Sequence, residues 1–296
     1  MGTAERTDSE FGGFCARPPV IGGLVAFLSN AWLALRGLPD DSTGEHEVKI
    51  AVCIKRVPDM EMRFSIAGDR KSLDQGGLKF EIGDFDGYAL EVGLQLVEKQ
   101  GGEVTVISLG PDGVQETLRK GLAMGAARAV HLKVDEVPFD GLAVARALAA
   151  ELKDGGYDLI LFGRVATDTA NGTTGPMTAE LLDLPCVTSI SQLEIADGRG
   201  TARRELEGST ETIQFALPAV LTIDEGIARP RLASLKGIMA AKKKPLEVKP
   251  AQLGEARLVV EAMALPADRP PGRIVGEGVD AVPELLRLLQ TEAKVL

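Results

Sequence analysis

The chain has little of the side-chain chemistry that most enzymes use. Its 296 residues include two histidines, His46 and His131, and three cysteines, Cys15, Cys53 and Cys186. His46 falls in a polar linker and His131 inside the short apolar run 129–134. No cluster of imidazoles is offered for a zinc site or a Ser-His-Asp relay. The cysteines are far apart and form no C-x-x-C pair, which excludes the common zinc and dithiol motifs. Cys53 and Cys186 stand in apolar, strand-like runs and read as reduced core thiols of a cytoplasmic protein. Redox chemistry in this chain would therefore have to come from a bound cofactor.

Positive charge is also short. Asp and Glu number 43 against 33 Lys and Arg, a formal net charge of -10. That balance excludes nucleic acid, whose phosphates need a basic face, and loose adhesion to an anionic membrane. Long apolar runs are missing as well. The stretch 20–35 is short of the roughly 20 residues a spanning helix needs. It contains Ser29 and Asn30, and its upstream flank carries Glu5, Asp8 and Glu10 in place of a cationic signal-peptide start. Residues 1–47 are read first as a poorly ordered or mis-started extension, second as a helix packing on a partner, and last as a membrane anchor. Stable membrane insertion is not expected. No G-x-G-x-x-G follows the first strand and no G-x-x-x-x-G-K-[ST] occurs, which argues against a full dinucleotide site or an NTPase loop.

From residue 48 a regular pattern begins. Short apolar runs at 48–54, 103–109, 129–134 and 158–162 predict buried strands. Between them, 85–99 carries apolar residues at helical spacing, 115–124 ends at the helix stop Gly125, and Asp140 can cap a helix running to Leu152. A short helix is predicted over 176–182. Strand and helix in alternation imply a mainly parallel sheet with covering helices. The character then changes. A hairpin-like turn at 196–200 joins 192–195 to 201–206, and 210–216 and 219–223 read as antiparallel strands that continue or cap the sheet. The segment 225–244 shows little periodicity, and a Pro-containing arm ends in a helix near 283–289. Three regions result: an extension over 1–47, an α/β core over 48–250, and a C-terminal arm over 251–296.

The loop from Gly163 to Gly175 carries the strongest ligand signal. It follows a strand and opens a helix, where free N–H groups favour a phosphate. Thr173 and Thr174 add hydroxyls, Gly172 and Gly175 let the backbone come close, and Asp168 can orient a ribose or the loop itself. On composition alone an ordinary capped loop explains it equally well. Its length and polarity favour the nucleotide.

Several motifs in one order then point to a family. They are KIAVCIKRVPD at 49–59, QETLR at 115–119 with AMGA at 123–126, and RELEG at 204–208 followed by Glu211-Thr212. The last is DEGIARPRLASLKGIMAAKKKP at 224–245. Together they resemble the signature of electron transfer flavoprotein β subunits, over about 48–250 with a weaker echo in the terminal helix. The resemblance implies a three-layer α/β core of the adenine-nucleotide-hydrolase-like type, with helices on both faces and an arm that packs on an α subunit. It implies FAD held mainly by α, and AMP bound by this chain. For the AMP site it implies Cys53 at the end of the first strand, then Gly83, Asp84, Phe85 and Asp86 before the first helix, and Leu109. Gly163 and the loop Asp168, Thr169, Ala170, Asn171, Gly172, Thr173 and Thr174 complete that set. It also implies a dehydrogenase-recognition loop at 224–244 with Leu235 as hydrophobic anchor, and Glu205 as an acidic residue that tunes docking. The Lys242–Lys244 cluster reads either as a contact to α or as a solvated patch.

The expected role is an electron carrier, not an enzyme that works alone. It takes electrons from flavin dehydrogenases such as acyl-CoA dehydrogenases and passes them to a quinone oxidoreductase. The sequence departs from the family at 171–175, at 83–86 and at Glu225-Gly226, and residues before 49 have no counterpart in typical members. Two alternatives stand beside this reading. One is a bifurcating or nitrogen-fixation-type relative with a second FAD in the β site. The other is a standalone nucleotide-binding regulatory module.

Overall fold

The structure is a computed structural model that describes residues 47–268 and 271–296. The readings of the extension, with its apolar stretch 20–35, lie outside the described residues except at Glu47. Among the described residues no helix is long and apolar enough to cross a membrane.

Among the described residues the chain builds a nine-stranded sheet in the order β11 (Leu246–Pro250), β5, β4, β1, β6, β10, β7 (Cys186–Ala196), β8 (Arg199–Leu206), β9 (Ser209–Ala216). Its central strands are β1 (Val48–Cys53), β4 (Gly102–Gly110), β5 (Arg128–Lys133), β6 (Leu159–Gly163) and β10 (Ala219–Ile223). They are rich in Val, Ile and Leu on both faces because both faces are covered. Ile50, Val52, Val104, Val106, Leu159 and Leu161 face α1 (Asp84–Gln100) and α2 (Val114–Met124). The alternate residues Ala51, Cys53, Ile107, Leu109, Ile160 and Phe162 face α3 (Gly141–Leu152) and α4 (Thr174–Leu182). Strict alternation along each strand thus splits the apolar core into two layers, giving the three-layer α/β fold with helices on both faces. Asp140 caps α3 as expected, accepting from the Leu142 N–H at 2.9 Å.

The structure differs from the sequence reading at five places. First, β10 is not antiparallel: it lies inside the sheet, parallel to β6 and to β7 (Cys186–Ala196). All five of its residues are buried, which is the mark of an interior parallel strand. Second, β7 begins well before 192. Its first half pairs with β10, and its second half turns antiparallel to β8 (Arg199–Leu206), which pairs in turn with β9 (Ser209–Ala216). Third, β2 (Arg56–Pro58) and β3 (Phe80–Ile82) form a small antiparallel ladder that local periodicity did not reveal. Fourth, 225–244 contains the short helix α5 (Leu235–Ala241), and β11 (Leu246–Pro250) then joins the sheet edge parallel to β5. Fifth, Cys186 is exposed at the start of β7, whereas Cys53 is buried as expected.

The arm runs back over the core. Ala251 N–H donates to Lys133 O at 3.1 Å and Met263 N–H to Arg70 O at 2.7 Å. Between them Arg257 N–H donates to Asp140 Oδ2 at 2.7 Å. The arm ends in α6 (Val282–Leu288), which leaves Val282, Leu285 and Leu286 exposed.

Candidate functional site

The order of strands creates a crevice. From β1 the chain steps to β4 and β5 on one side, then returns to β6 on the other side of β1. Loops after β1 and β6 diverge to opposite faces, and a cleft opens at the carboxyl ends of these strands, where ligands of open α/β sheets sit. The cleft encloses about 870 Å³, counting its open mouth. Its floor and walls are apolar: Cys53, Ile107, Leu109, Leu148, Phe162 and Phe139. Its rim is polar, from Lys55, Asp86, Asn171, Thr173 and Thr174.

Asp86 is the structural centre of the cleft. It sits in the first turn of α1 with its carboxylate almost wholly buried. Oδ2 accepts from Lys55 N–H at 2.7 Å and Oδ1 from Gly163 N–H at 3.1 Å. One side chain thereby joins the ends of β1 and β6 across the point where the topology reverses. Burial pushes its pKa up to about 7, against the pull of those two N–H donors. The contact explains Gly163. A Cβ there would stand 2.5 Å from Asp86 Oδ1 and 2.7 Å from its backbone nitrogen. The Cys53 thiol is driven well above its ordinary pKa by burial, and then by the Asp86 charge, so it serves as apolar floor and not as a nucleophile.

The loop after β6 is held from the β1 side. Lys55 Nζ pairs with Asp168 Oδ1 at 2.7 Å and reaches Thr169 Oγ1 at 3.4 Å. Arg164 pairs with Asp224 at 3.2 Å and lies 5.0 Å from the Phe85 ring centre. Ala170 and Gly172 take left-handed backbone conformations, with φ of 52° and 62°, and turn the chain back toward α4. Thr173 starts α4 without using its hydroxyl as a cap. Its Oγ1 stands 3.0 Å from where a Cβ on Gly141 would be, and Thr174 Oγ1 stands 3.7 Å from that point. The starts of α3 and α4 therefore converge, with two hydroxyls between them, as an anion site requires.

The structure brings most of the residues singled out from the sequence into this cleft. Cys53, Asp86, Leu109, Gly163, Thr169, Asn171, Gly172, Thr173 and Thr174 line it. Asp168 lines an adjoining cavity under the arm, which shares Lys55, Leu109, Phe139 and Thr169 with the cleft. Gly83 and Asp84 border a different groove, beside Pro230 and Leu232, and Phe85 stacks edge-on against Tyr88. Ala170 shapes the loop backbone without lining the cleft. Sequence reasoning missed Lys55, Gly141 and the wall at 137–139. Lys55 carries only the signal of standing just after the first strand, and the others come together through the tertiary fold alone.

Segment 224–244 presents a second candidate surface. Leu235 opens α5 and is 79% exposed, beside Leu232 at 95% and Met239 at 60%. Large apolar side chains this exposed and this close together mark an interaction surface. Glu205 stands exposed on β8, opposite Thr210, at the antiparallel end of the sheet. The lysine cluster divides: Lys242 and Lys243 face solvent, while Lys244 turns inward onto carbonyls at the end of α2. Among the described residues no group of side chains could hold a metal ion.

These features agree with comparisons to known proteins. The family model described as "Electron transfer flavoprotein domain" matches residues 72–253. "Electron transfer flavoprotein subunit beta" of Bacillus subtilis (strain 168) is 36% identical over 260 residues, covering 84% of this chain and 100% of its own length. The human protein of the same name is 36% identical over 254 residues, covering 84% of this chain and 99% of its own. That of Bradyrhizobium diazoefficiens is 36% identical over 252 residues, with 84% and 100% covered. On the strength of a family match over more than half its length and relatives aligned almost end to end, this chain belongs to the electron transfer flavoprotein family, on the β-subunit side.

Proposed function

We propose that this chain is the β subunit of a heterodimeric electron carrier that works in the cytoplasm and is not an enzyme by itself. Its partner is an electron transfer flavoprotein α subunit. Electrons arrive from flavin dehydrogenases such as acyl-CoA dehydrogenases and leave toward a quinone oxidoreductase. The observation that carries this reading is the exposed apolar surface at Leu232, Leu235 and Met239 on a chain of this family. A chain that keeps such side chains in water is built to meet another protein. The apolar arm helix α6 supplies a further surface, suited to the α subunit.

The FAD belonging to α supplies the electron-accepting chemistry. The residues of this chain bind, orient and exclude water. The cleft is suited to AMP: its apolar floor at Cys53, Ile107 and Leu109 fits a purine, and the helix starts at Gly141 and Thr174 fit a phosphate. Gly163 lets Asp86 tie the loops together, and Gly141 lets the start of α3 come close to the Thr173 hydroxyl. A nucleotide held there by the loops after β1 and β6 would have a structural role. One observation favours a second reading, in which FAD takes this place. The cleft opens into the larger cavity under the arm, which leaves room for the rest of a dinucleotide.

The test is to co-express the chain with a candidate α subunit, purify through a tag on this chain and identify the released nucleotides. A yellow one-to-one complex that yields FAD and AMP supports the proposal. Two FAD per complex moves the cleft to the second reading. A folded, colourless chain that purifies alone overturns the electron-carrier role and leaves a nucleotide-binding regulatory module.

A further inference from the structure

The segment between β10 and β11 presents Leu235 and Met239 from a helix of only seven residues, too short to be stable alone, and Leu232 from the stretch just before it. Something else must hold it, and the structure shows contacts at both ends. At the start, Arg231 forms a fork with Glu91 of α1: Nε to Oε2 at 2.8 Å and Nη2 to Oε1 at 2.9 Å. Its backbone N–H also donates to Glu91 Oε2 at 3.2 Å, and its guanidinium reaches Glu98, two turns along α1. The Glu91 side chain is only 4% exposed. Burial opposes its charge, yet Arg231 and Gln95 outweigh burial and hold the carboxyl below its ordinary range. Pro230 rests on Gly87 of the same helix.

At the other end two cations are exchanged. Lys244 Nζ donates to Leu122 O at 3.0 Å, Gly125 O at 3.3 Å and Ala126 O at 2.6 Å, at the carboxyl end of α2. In return Arg119 of α2 donates to Ala241 O at 2.6 Å and Lys244 O at 2.8 Å, at the carboxyl end of α5. Each helix end receives a positive charge from the other element, which favours both dipoles. Between these ends Gly237 comes so near α2 that a Cβ would stand 2.4 Å from Ala123 O. The inner side of the segment is thus fixed by ion pairs and backbone contacts, and its apolar side chains are left outward.

We propose that Arg231 and Lys244 are positioning residues for partner docking: they hold the exposed leucines in one binding-ready arrangement before the partner arrives. A segment already ordered does not have to be ordered during association, which favours binding. This rests on the reading of 224–244 as the surface that meets flavin dehydrogenases. Neither Arg231 nor Lys244 lines the cleft, so their effect falls on docking and not on the nucleotide site.

The experiment uses the full chain purified with its α subunit. Backbone hydrogen exchange is followed in the wild type, Arg231→Gln, Lys244→Met and the milder Glu98→Gln, whose side chain is largely exposed and whose loss the fold tolerates. Exchange over 232–241 should quicken about tenfold or more in the first two variants and less in the third, while β1 and β4 keep their wild-type rates. With an acyl-CoA dehydrogenase and its acyl-CoA substrate as donor, KM for the complex should rise about tenfold at unchanged kcat, and Arg231→Lys should recover part of the loss. Unchanged exchange over 232–241, or a fall in kcat at unchanged KM, overturns the proposal. A wild-type complex that takes no electrons from the dehydrogenase overturns the carrier function itself, and the wild type's own behaviour tells that failure from this one.

Discussion

The cleft proposed for a nucleotide and the segment proposed for docking solve opposite problems. The cleft is made by topology. Strand ends and helix starts converge where the strand order reverses, and a single buried carboxylate, Asp86, ties β1 to β6 through two backbone N–H groups. The docking segment is made by side chains. A seven-residue helix and its flanks are fastened at either end by Arg231 on Glu91 and by Lys244 on α2. The first buries its central charge, Asp86, and the second exposes its apolar side chains. A change at the buried centre of the cleft, Asp86 or Gly163, should therefore act on folding and ligand together, whereas a change at the tip of the proposed docking segment should act on partners alone.

The most severe way to break this division is Gly163→Val. Its side chain would overlap Asp86, and overpacking of this kind costs about 3 kcal/mol. Urea unfolding should show a lower midpoint, and the purified complex should lose nucleotide while dehydrogenase contact by surviving protein is retained. Next comes pH. Asp86 holds its proton more tightly in the folded chain, where its pKa is about 7, than in the unfolded chain, where the ordinary value is 3.8. Its contribution is fully present below about pH 4, declines as pH rises through 7 and is flat above that. Compared with Asp86→Asn, the wild type should therefore lose up to about 4 kcal/mol of relative stability across that window. A parallel pH dependence in both proteins refutes the assignment.

Smaller effects sharpen the contrast. Replacing Thr173 and Thr174 together by Val removes two hydroxyls from the converging helix starts. The complex should hold AMP about tenfold less tightly, roughly 1.4 kcal/mol, with an unfolding midpoint close to wild type. Leu235→Ala should do least to the fold, within about 0.5 kcal/mol, because the side chain is 79% exposed. Its effect belongs to electron transfer from a dehydrogenase, where KM should rise. A marked loss of stability would show instead that Leu235 packs within its own chain.

The contrast also explains what could be read from the sequence. β1, β4, β5, β6 and the helices between them announce themselves by local period, so the parallel core was legible. So was the loop after β6, because a polar, threonine-bearing run between strand and helix has a mechanical meaning wherever it occurs. β10 was legible as a strand but not in its direction, which is fixed by β6 and β7 as neighbours and not by its own five residues. β11 carries Glu247, Lys249 and Pro250 and becomes a strand only because β5 offers an unpaired edge. In the cleft, Asp86 was singled out through the family resemblance, yet its bonds to Lys55 and Gly163 join residues 31 and 77 positions away. Leu235 was legible only through resemblance, and Leu232 and Met239 were not singled out at all, since an apolar residue in an aperiodic stretch announces neither burial nor exposure.

The path of the docking segment has one further consequence. It leaves β10 near the middle of the sheet and rejoins at β11 on the far edge, five strand spacings away or about 24 Å. A protease cut at the exposed Lys236 would leave Arg231 clamped to α1 on one fragment, and Lys244 clamped to α2 with β11 paired to β5 on the other. The nicked protein would stay in one piece as a complemented pair of fragments. Cleavage there would silence traffic with a partner while sparing the body of the protein that holds the nucleotide.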